Sequence, residues 1–234
     1  MVFDNFAIKY SIIVPCYNES IRLKQKMKYF LEIFNKRSDV EIIFVDDGSI
    51  DGTRNVIPIL ERVKIVSYDN NAGKWEAIKR GWLVASGRYC VLSDADYSYD
   101  ILEFIDYVEK YGYTSGILIG NRYNSINEIP FGRWFASRMF NVMARVICGI
   151  TVDDSQSPAK IWDNSVAMMR VWAQMNESGF AGDVEFLVLC KKYNGITAME
   201  VDIPYVAQQG STVSVRKHSL KMFHSLIRIR NRWC

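Results

Sequence analysis

Short apolar runs alternate with segments of helical periodicity over the first half of the chain. Ser11–Val14 reads as a strand, and Ser20–Phe34 as a helix with Ile21, Leu23, Met27, Phe30, Leu31 and Phe34 on one broad face. Glu41–Val45 is a second strand, followed by the turn residues DDGSIDGT and a helix to about Arg62. Lys64–Ser67 is a third strand, a helix runs from about Lys74 to Ala85, and Arg88–Ser93 is a fourth strand. This βαβαβαβ order predicts an α/β fold with a mostly parallel central sheet, right-handed crossovers and helices on both faces. The second half is less regular. Gly116–Gly120 and Gly195–Pro204 read as strands, Gly132–Ile147 and Asp183–Lys192 as helices. The first of these helices carries Phe135, Met139, Val142, Met143 and Val146, a face fit either for a core or for an acyl-chain groove. With no internal repeat, low-complexity linker or domain boundary in view, residues 1–214 read as a single domain and 215–234 as a terminal helix.

Composition adds bounds. A chain of 234 residues, 49% apolar and 24% charged, is long enough for a large α/β core and is not the composition of a disordered protein. A formal net charge of +3 is too small to argue for a nucleic-acid partner. Its distribution is informative, because residues 215–234 carry Arg216, Lys217, Lys221, Arg228, Arg230 and Arg232 with no acid. Val215, Leu220, Phe223, Leu226 and Ile227 are interleaved with them, as in a basic amphipathic helix lying on an anionic membrane surface or packed on the core. The five scattered cysteines form no CxxC pair or disulfide framework and favour a reducing compartment. No signal peptide or run of membrane-spanning length is seen, and Cys234 lacks the spacing of a prenylation box. A cytoplasmic location, peripheral at the membrane face, is expected.

The chemistry sits at strand ends, where parallel α/β sheets bind ligands. These ends carry Pro15-Cys16-Tyr17-Asn18-Glu19, Asp46-Asp47-Gly48-Ser49, Asn70-Asn71-Ala72-Gly73-Lys74 and Asp94-Ala95-Asp96. In extended backbone Asp94 and Asp96 point to the same side, so both can face one hard cation such as Mg²⁺ or Mn²⁺ carrying a diphosphate. Other positions have two readings. Asp46 and Asp47 suit a turn or a site, Glu19 a helix first turn or a site, and Lys74 a solvated lysine or a phosphate ligand.

The series IIVPCYNES, IFVDDGSIDGT, NNAGKWEAIKRGWLVASGRY and LSDADYSYD resembles the family 2 glycosyltransferases with a GT-A fold, a Rossmann-like α/β sandwich. GNRY, DDSQSPAKIW, GDVEFLVLCKKYNGITAMEVDIPY and GSTVSVRKHSLKMFHSLIRIR resemble the polyprenyl-phosphate sugar synthases, especially the dolichyl-phosphate glucosyltransferase and mannose synthase group. The resemblance runs from about Tyr10 to Arg230 and divides the domain into a nucleotide-binding half, about 10–120, and an acceptor half, about 121–214. It implies that Pro15, Tyr17, Glu19, Asp46 and Asp47 surround the nucleotide, with Lys74 near its phosphates. Asp94, Ala95 and Asp96 form the metal-binding D-x-D, with Ser98 as a further ligand. Arg122, Arg133 and Ser137 face the acceptor phosphate, and Asp183 is the acceptor-side acid. Four positions depart from the family pattern: Trp75 for a second glycine, Ser98 for a stronger polar ligand, Asn121 before Arg122 where serine is common, and Ser157-Pro158-Ala159 for Cys-Gly-Phe.

The expected reaction is inverting transfer of a hexose from a UDP- or GDP-sugar, UDP-glucose favoured, to an isoprenyl phosphate lipid. A phosphate monoester, with a second pKa near ~6, is already nucleophilic, so a strong base is less necessary. Asp183 reads equally as a base or as a helix N-terminal acid. The alternatives are a family 2 enzyme acting on a glycan or protein hydroxyl, or an inactive nucleotide-sugar binding module.

Overall fold

The computed structural model describes residues 8–112, 116–123, 131–205 and 215–234. In chain order they form β1 (Tyr10–Cys16), α1 (Ser20–Lys36), β2 (Val40–Asp47), α2 (Thr53–Val56), β3 (Val63–Tyr68), α3 (Lys74–Leu83), β4 (Tyr89–Leu92) and α4 (Ile101–Lys110). Then follow β5 (Ile117–Asn121), α5 (Phe131–Cys148), β6 (Lys160–Asp163), α6 (Val166–Gln174), α7 (Gly182–Asn194), β7 (Ala198–Asp202) and α8 (Val215–Trp233). The chain divides into two units, Met1–Tyr97 with Ile161–Ser165, and Ser98–Lys160 with Val166–Cys234.

In the first unit the strand order is β3-β2-β1-β4-β6. β1 pairs in parallel with β2 and with β4, and β2 with β3. Ile12, Ile13, Val14, Ile42, Ile43, Phe44 and Val45 are all at most 1% exposed, so these strands have no alternating polar face. Leu23, Phe30 and Ile33 of α1 and Trp75, Ala77 and Ile78 of α3 are buried as well. Gly81 lets α3 lie close to the sheet, since a Cβ there would fall 2.6 Å from Ile13 Cγ2 and 3.0 Å from Val45 Cγ2.

In the second unit β5 and β7 pair in parallel, Ile117 with Ala198 through Asn121 with Asp202. α7 is buried over nearly its whole length, with Val184, Phe186, Leu189 and Cys190 inaccessible, as expected of a helix with no solvated face. α8 buries Leu226 and Ile229, three residues apart, while Phe223 and Ile227 stay partly exposed. Its basic residues find protein partners: Arg228 pairs with Glu177, Arg232 with Glu185, and Arg230 donates to the Ile147 carbonyl. Over its described side chains, then, the terminal helix packs on the core of its unit. The side chains of Val215, Arg216, Lys217 and Leu220 lie outside the described residues.

The mixed α/β class and parallel strands agree with the sequence expectation, and three differences have local causes. The helix expected to reach Arg62 stops at Val56, because Pro58 drives the preceding residue out of helical geometry; Ile57 has ψ 124°. α4, β6 and α6 stand outside the expected set. α4 nevertheless has a complete signature, with Asp100 accepting hydrogen bonds from the amides of Leu102 and Glu103 and Ile101, Phe104, Ile105 and Val108 on the buried stripe. Finally, β2 runs through Asp46 and Asp47, which are therefore strand residues and buried ones.

One buried carboxylate organises the amino ends of the first unit's strands. Glu41, 3% exposed, accepts from Ser11 Oγ at 2.6 Å and from the Ser86 amide at 2.7 Å, and pairs with Lys64 Nζ at 2.8 Å. Ser11 Oγ in turn accepts the Gly87 amide. Burial alone would raise the Glu41 carboxyl, but the bonds from Lys64, Ser11 and Ser86 outweigh it and hold the group below its ordinary value. A depressed folded pKa gives stability that is present above the unfolded value and lost as pH falls through the folded one. Glu41→Gln is therefore expected to lower stability at pH 7 by roughly 1–3 kcal/mol. It should also flatten the loss of stability below the ordinary glutamate value, read from urea midpoints across that range.

Candidate active site

At the carboxyl ends of β1 and β2 the loops are stitched to each other. The Asn18 amide donates to Ser49 Oγ, and Asn18 Oδ1 accepts the Ile50 amide. Asn18 adopts φ 54°, a left-handed conformation that asparagine tolerates better than most residues. Asp51 accepts the Ser20 amide through Oδ2 and both the amide and hydroxyl of Thr53 through Oδ1, so it caps the start of α1 from another loop. Burial works against its charge, yet the bonds from Thr53 and Ser20 hold its carboxyl down at about 2. Asp46 Oδ1 accepts the Ser49 amide, the turn role. Asp47 is fully engaged: Oδ1 accepts the Ala72 amide at 2.6 Å, and Oδ2 accepts the Gly73 amide and Asn71 Nδ2. It thereby fixes the loop that leads into Lys74. Gly48, at φ 73°, permits this approach, since a Cβ there would lie 2.7 Å from backbone atoms of Asn70 and Asn71.

The D-x-D segment is a turn, not extended backbone. β4 ends at Leu92, the Tyr97 amide bonds back to the Asp94 carbonyl, and Tyr97 takes φ 48°. The expectation that strand pleating points both acids to one side is therefore corrected. What gathers them is tertiary packing. Burial, and then the charges of Asp96 and Asp94, push the Glu19 carboxyl up against the pull of Arg22, which contacts it at 2.6 Å. Burial, with the charges of Glu19, Asp46, Asp94 and Asp51, likewise pushes the Cys16 thiol up. Five carboxylates thus bear on one region of the first unit, and Lys74 Nζ meets Asp94 Oδ1 at 2.6 Å. Tyr17 is 48% exposed beside them, Pro15 half-buried and Ala95 buried. Among the described residues no three Asp, Glu, His or Cys side chains form a ready metal cage. Two carboxylates are nonetheless a sufficient protein share for Mg²⁺, which completes its shell with water and substrate phosphates. Ser98 is 1% exposed, and its Oγ has no hydrogen-bond partner among the described residues.

The acceptor-side residues lie in the second unit. Arg122 is held by Asp154, Nε to Oδ2 at 2.7 Å and Nη2 to Oδ1 at 2.8 Å, and its amide also donates to Oδ2. Asp154 is inaccessible, and its charge raises the Arg122 guanidinium against the effect of burial. Glu200 supports the pair by accepting the amides of Asp153 and Asp154. Ser137 contacts the Tyr123 hydroxyl, which also accepts Asn141 Nδ2; Asn141 Oδ1 accepts the amide and hydroxyl of Ser155. Asp183, in the first turn of α7, pairs with Lys160 at 2.6 Å. Arg133 falls in the first turn of α5, its side chain outside the described residues.

Every donor-side residue named from the sequence thus falls in the first unit and every acceptor-side one in the second, except that Ser98 begins the second. Sequence reasoning missed Asp51, Asp154, Lys160 and Glu200. Lys160 had a signal, a lysine inside the apolar run Ala159-Lys160-Ile161-Trp162. Asp154 and Glu200 had none, since they act on residues 32 and 46 positions away.

Comparison with known proteins bears on the same residues. The profile of Glycosyl transferase family 2 matches residues 11–167. The chain is 29% identical to the dolichyl-phosphate β-glucosyltransferase of Dictyostelium discoideum, across 95% of this chain and 74% of that protein. It is 25% identical to the human dolichyl-phosphate β-glucosyltransferase, across 99% of this chain and 78% of that one. In fold it matches glucosyl-3-phosphoglycerate synthase from Mycobacterium tuberculosis, solved with UDP, at a TM-score of 0.70 and 16% identity over 96% of this chain and 80% of that one. The same synthase solved with Mn²⁺, UDP and glucosyl-3-phosphoglycerate gives 0.69 at 16% identity, over 97% and 80%. Because the family pattern runs through all the donor-side strand ends and on past Arg122, this chain belongs to glycosyl transferase family 2 and is a glycosyltransferase.

Proposed function

We propose that the protein transfers glucose, with inversion, from UDP-glucose to the phosphate of a dolichyl or other polyprenyl lipid. The observation that carries this reading is the extent of the likeness to dolichyl-phosphate β-glucosyltransferases, which includes both the donor-side strand ends and the acceptor-side residues Arg122 to Asp183. The carboxylate-rich donor side supports it. Asp94 and Asp96, with Ser98, would hold Mg²⁺ or Mn²⁺, which when bound neutralises charge on a departing diphosphate. Lys74, already fixed on Asp94, offers a cation to the same phosphates. Tyr17, exposed just after β1, would stack on a base, and Asp47 keeps the Asn71–Gly73 loop in one conformation. On the acceptor side a phosphate monoester needs no proton removed before it attacks. Binding and orientation are then the main tasks, and Arg122, locked by Asp154 in a planar fork, suits them.

We place the reaction at a membrane surface, on its cytoplasmic face. No helix among the described residues is long and apolar enough to cross a membrane. α5, however, exposes Phe135, Met139, Val142 and Val146, between 46% and 75%, at the i, i+4, i+7, i+11 spacing of one helix face. With the described part of α8 docked on its own unit, α5 is the stronger candidate for lipid contact. The five free thiols fit a reducing compartment.

Purified protein offered UDP- and GDP-hexoses with dolichyl phosphate and Mg²⁺ or Mn²⁺ should transfer glucose from UDP-glucose. Absence of transfer from every donor overturns the reading. Asp94→Asn or Asp96→Asn should cost on the order of 100-fold in kcat. Asp154→Asn, which frees the Arg122 fork, should lower kcat/KM for dolichyl phosphate by about 100-fold through misplacement alone. The KM for the donor should stay within about twofold, measured in the same assay. Replacing Phe135 and Val146 together by Asp should abolish co-sedimentation with vesicles containing anionic phospholipid.

A further inference from the structure

Two acceptor-side residues, Arg122 and Asp183, are held from one short segment. Asp154 at its start grips Arg122, and Lys160 at its end grips Asp183. The segment is braced along its length. The Ser157 amide donates to the Asp154 carbonyl, Ser157 Oγ accepts the Ala159 amide, and the Ala159 carbonyl accepts the Gly120 amide of β5. Gly120 has no room for a side chain, since a Cβ would fall 2.4 Å from Ile203 and 2.8 Å from Ala159.

The Lys160–Asp183 pair is costly. The Lys160 side chain is inaccessible and that of Asp183 is 6% exposed, with Nζ 2.6 Å from Oδ1. Lys160 Nζ also donates to the Ser157 carbonyl. Taking two ions out of water costs several kcal/mol each, and well-packed apolar residues in their place are often as stable or more so. Stability alone is therefore a poor account of a fully buried lysine here.

We infer that Lys160 is a positioning residue for glycosyl transfer: it fixes Asp183 in one orientation and balances its charge, so that this carboxylate can flank a phosphate acceptor without repelling it. The inference rests on the proposed phosphate acceptor. A carboxylate facing a phosphate dianion without a counter-ion repels it, and without a fixed partner it has no set direction. A buried ammonium at 2.6 Å supplies both the balancing charge and the fixed direction. Lys160 acts through Asp183 and through the Ser157 turn.

The test compares wild type with Lys160→Met, Asp183→Asn and the double variant Lys160→Met/Asp183→Asn. It follows transfer from UDP-glucose to dolichyl phosphate, with Tm measured in parallel. Lys160→Met removes the ammonium that faces a buried carboxylate, so its Tm should fall. The double variant, with a neutral pair of similar volume, should regain Tm. It should still lose about 10–100-fold in kcat/KM for dolichyl phosphate, like Asp183→Asn, with donor KM within about twofold of wild type. Recovery of both Tm and transfer in the double variant overturns the inference, as does undiminished transfer by Lys160→Met. Absence of transfer by wild type overturns the proposed function and this inference with it; the other outcomes bear on Lys160 alone.

Discussion

Carboxylates that accept backbone amides, most of them buried, set the conformation of nearly every loop that carries chemistry in this protein. Glu41 takes Ser86, Asp47 takes Ala72 and Gly73, Asp51 takes Ser20 and Thr53, and Asp46 takes Ser49. In the second unit Asp154 takes Arg122, Glu185 takes Asn176 and Glu177, and Glu200 takes Asp153 and Asp154. A carboxylate has lone pairs for several donors and loses solvation on burial, so it is stable only where those donors are supplied. Loop and acid therefore require each other. Removing either leaves a buried group unsatisfied, at a cost larger than that of an ordinary lost hydrogen bond.

This arrangement separates the acids into two populations. Those that clamp loops are satisfied within the protein. Asp94, Asp96 and Glu19 instead share a region where the charges of the two aspartates raise the proton affinity of Glu19, with Lys74 and Arg22 as partial compensation. Mutual repulsion of that kind favours an incoming cation, and a cation bound there has its remaining positions open to phosphate oxygens. The acceptor side follows the opposite logic. Arg122 and Asp183 are each matched by a buried opposite charge, giving held directions with little net field. For the proposed transfer to a lipid phosphate, the first unit offers attraction to a cation and the second offers groups of balanced charge.

Much of this was legible before folding was considered. Continuous apolar runs ending in acid, asparagine and glycine located four parallel strand ends, because strands buried on both faces have no other way to write their limits. The segment after Asp51 was misread as a long helix since its periodicity outweighed a single proline, and α4 was passed over although its Asp100 cap and apolar stripe are complete. Strand pleating would point Asp94 and Asp96 to one side, but the segment is a turn closed between Tyr97 and Asp94, and tertiary packing is what brings both acids to bear on Glu19.

The sequence by itself determined the α/β class, the strand ends and the residue types assembled there, because these follow from local periodicity and from the chemistry of side chains near one another in the chain. Tertiary structure alone decided which acids clamp loops and which face other charges. Asp47 and Asp94 are both strand-end aspartates; one meets the amides of a loop 25 residues on, the other a lysine and its fellow acids. It likewise decided that Arg122 and Asp183 come with Asp154 and Lys160 as partners, 32 and 23 residues away. Burial gives a charge its meaning, and burial is a property of the packed chain.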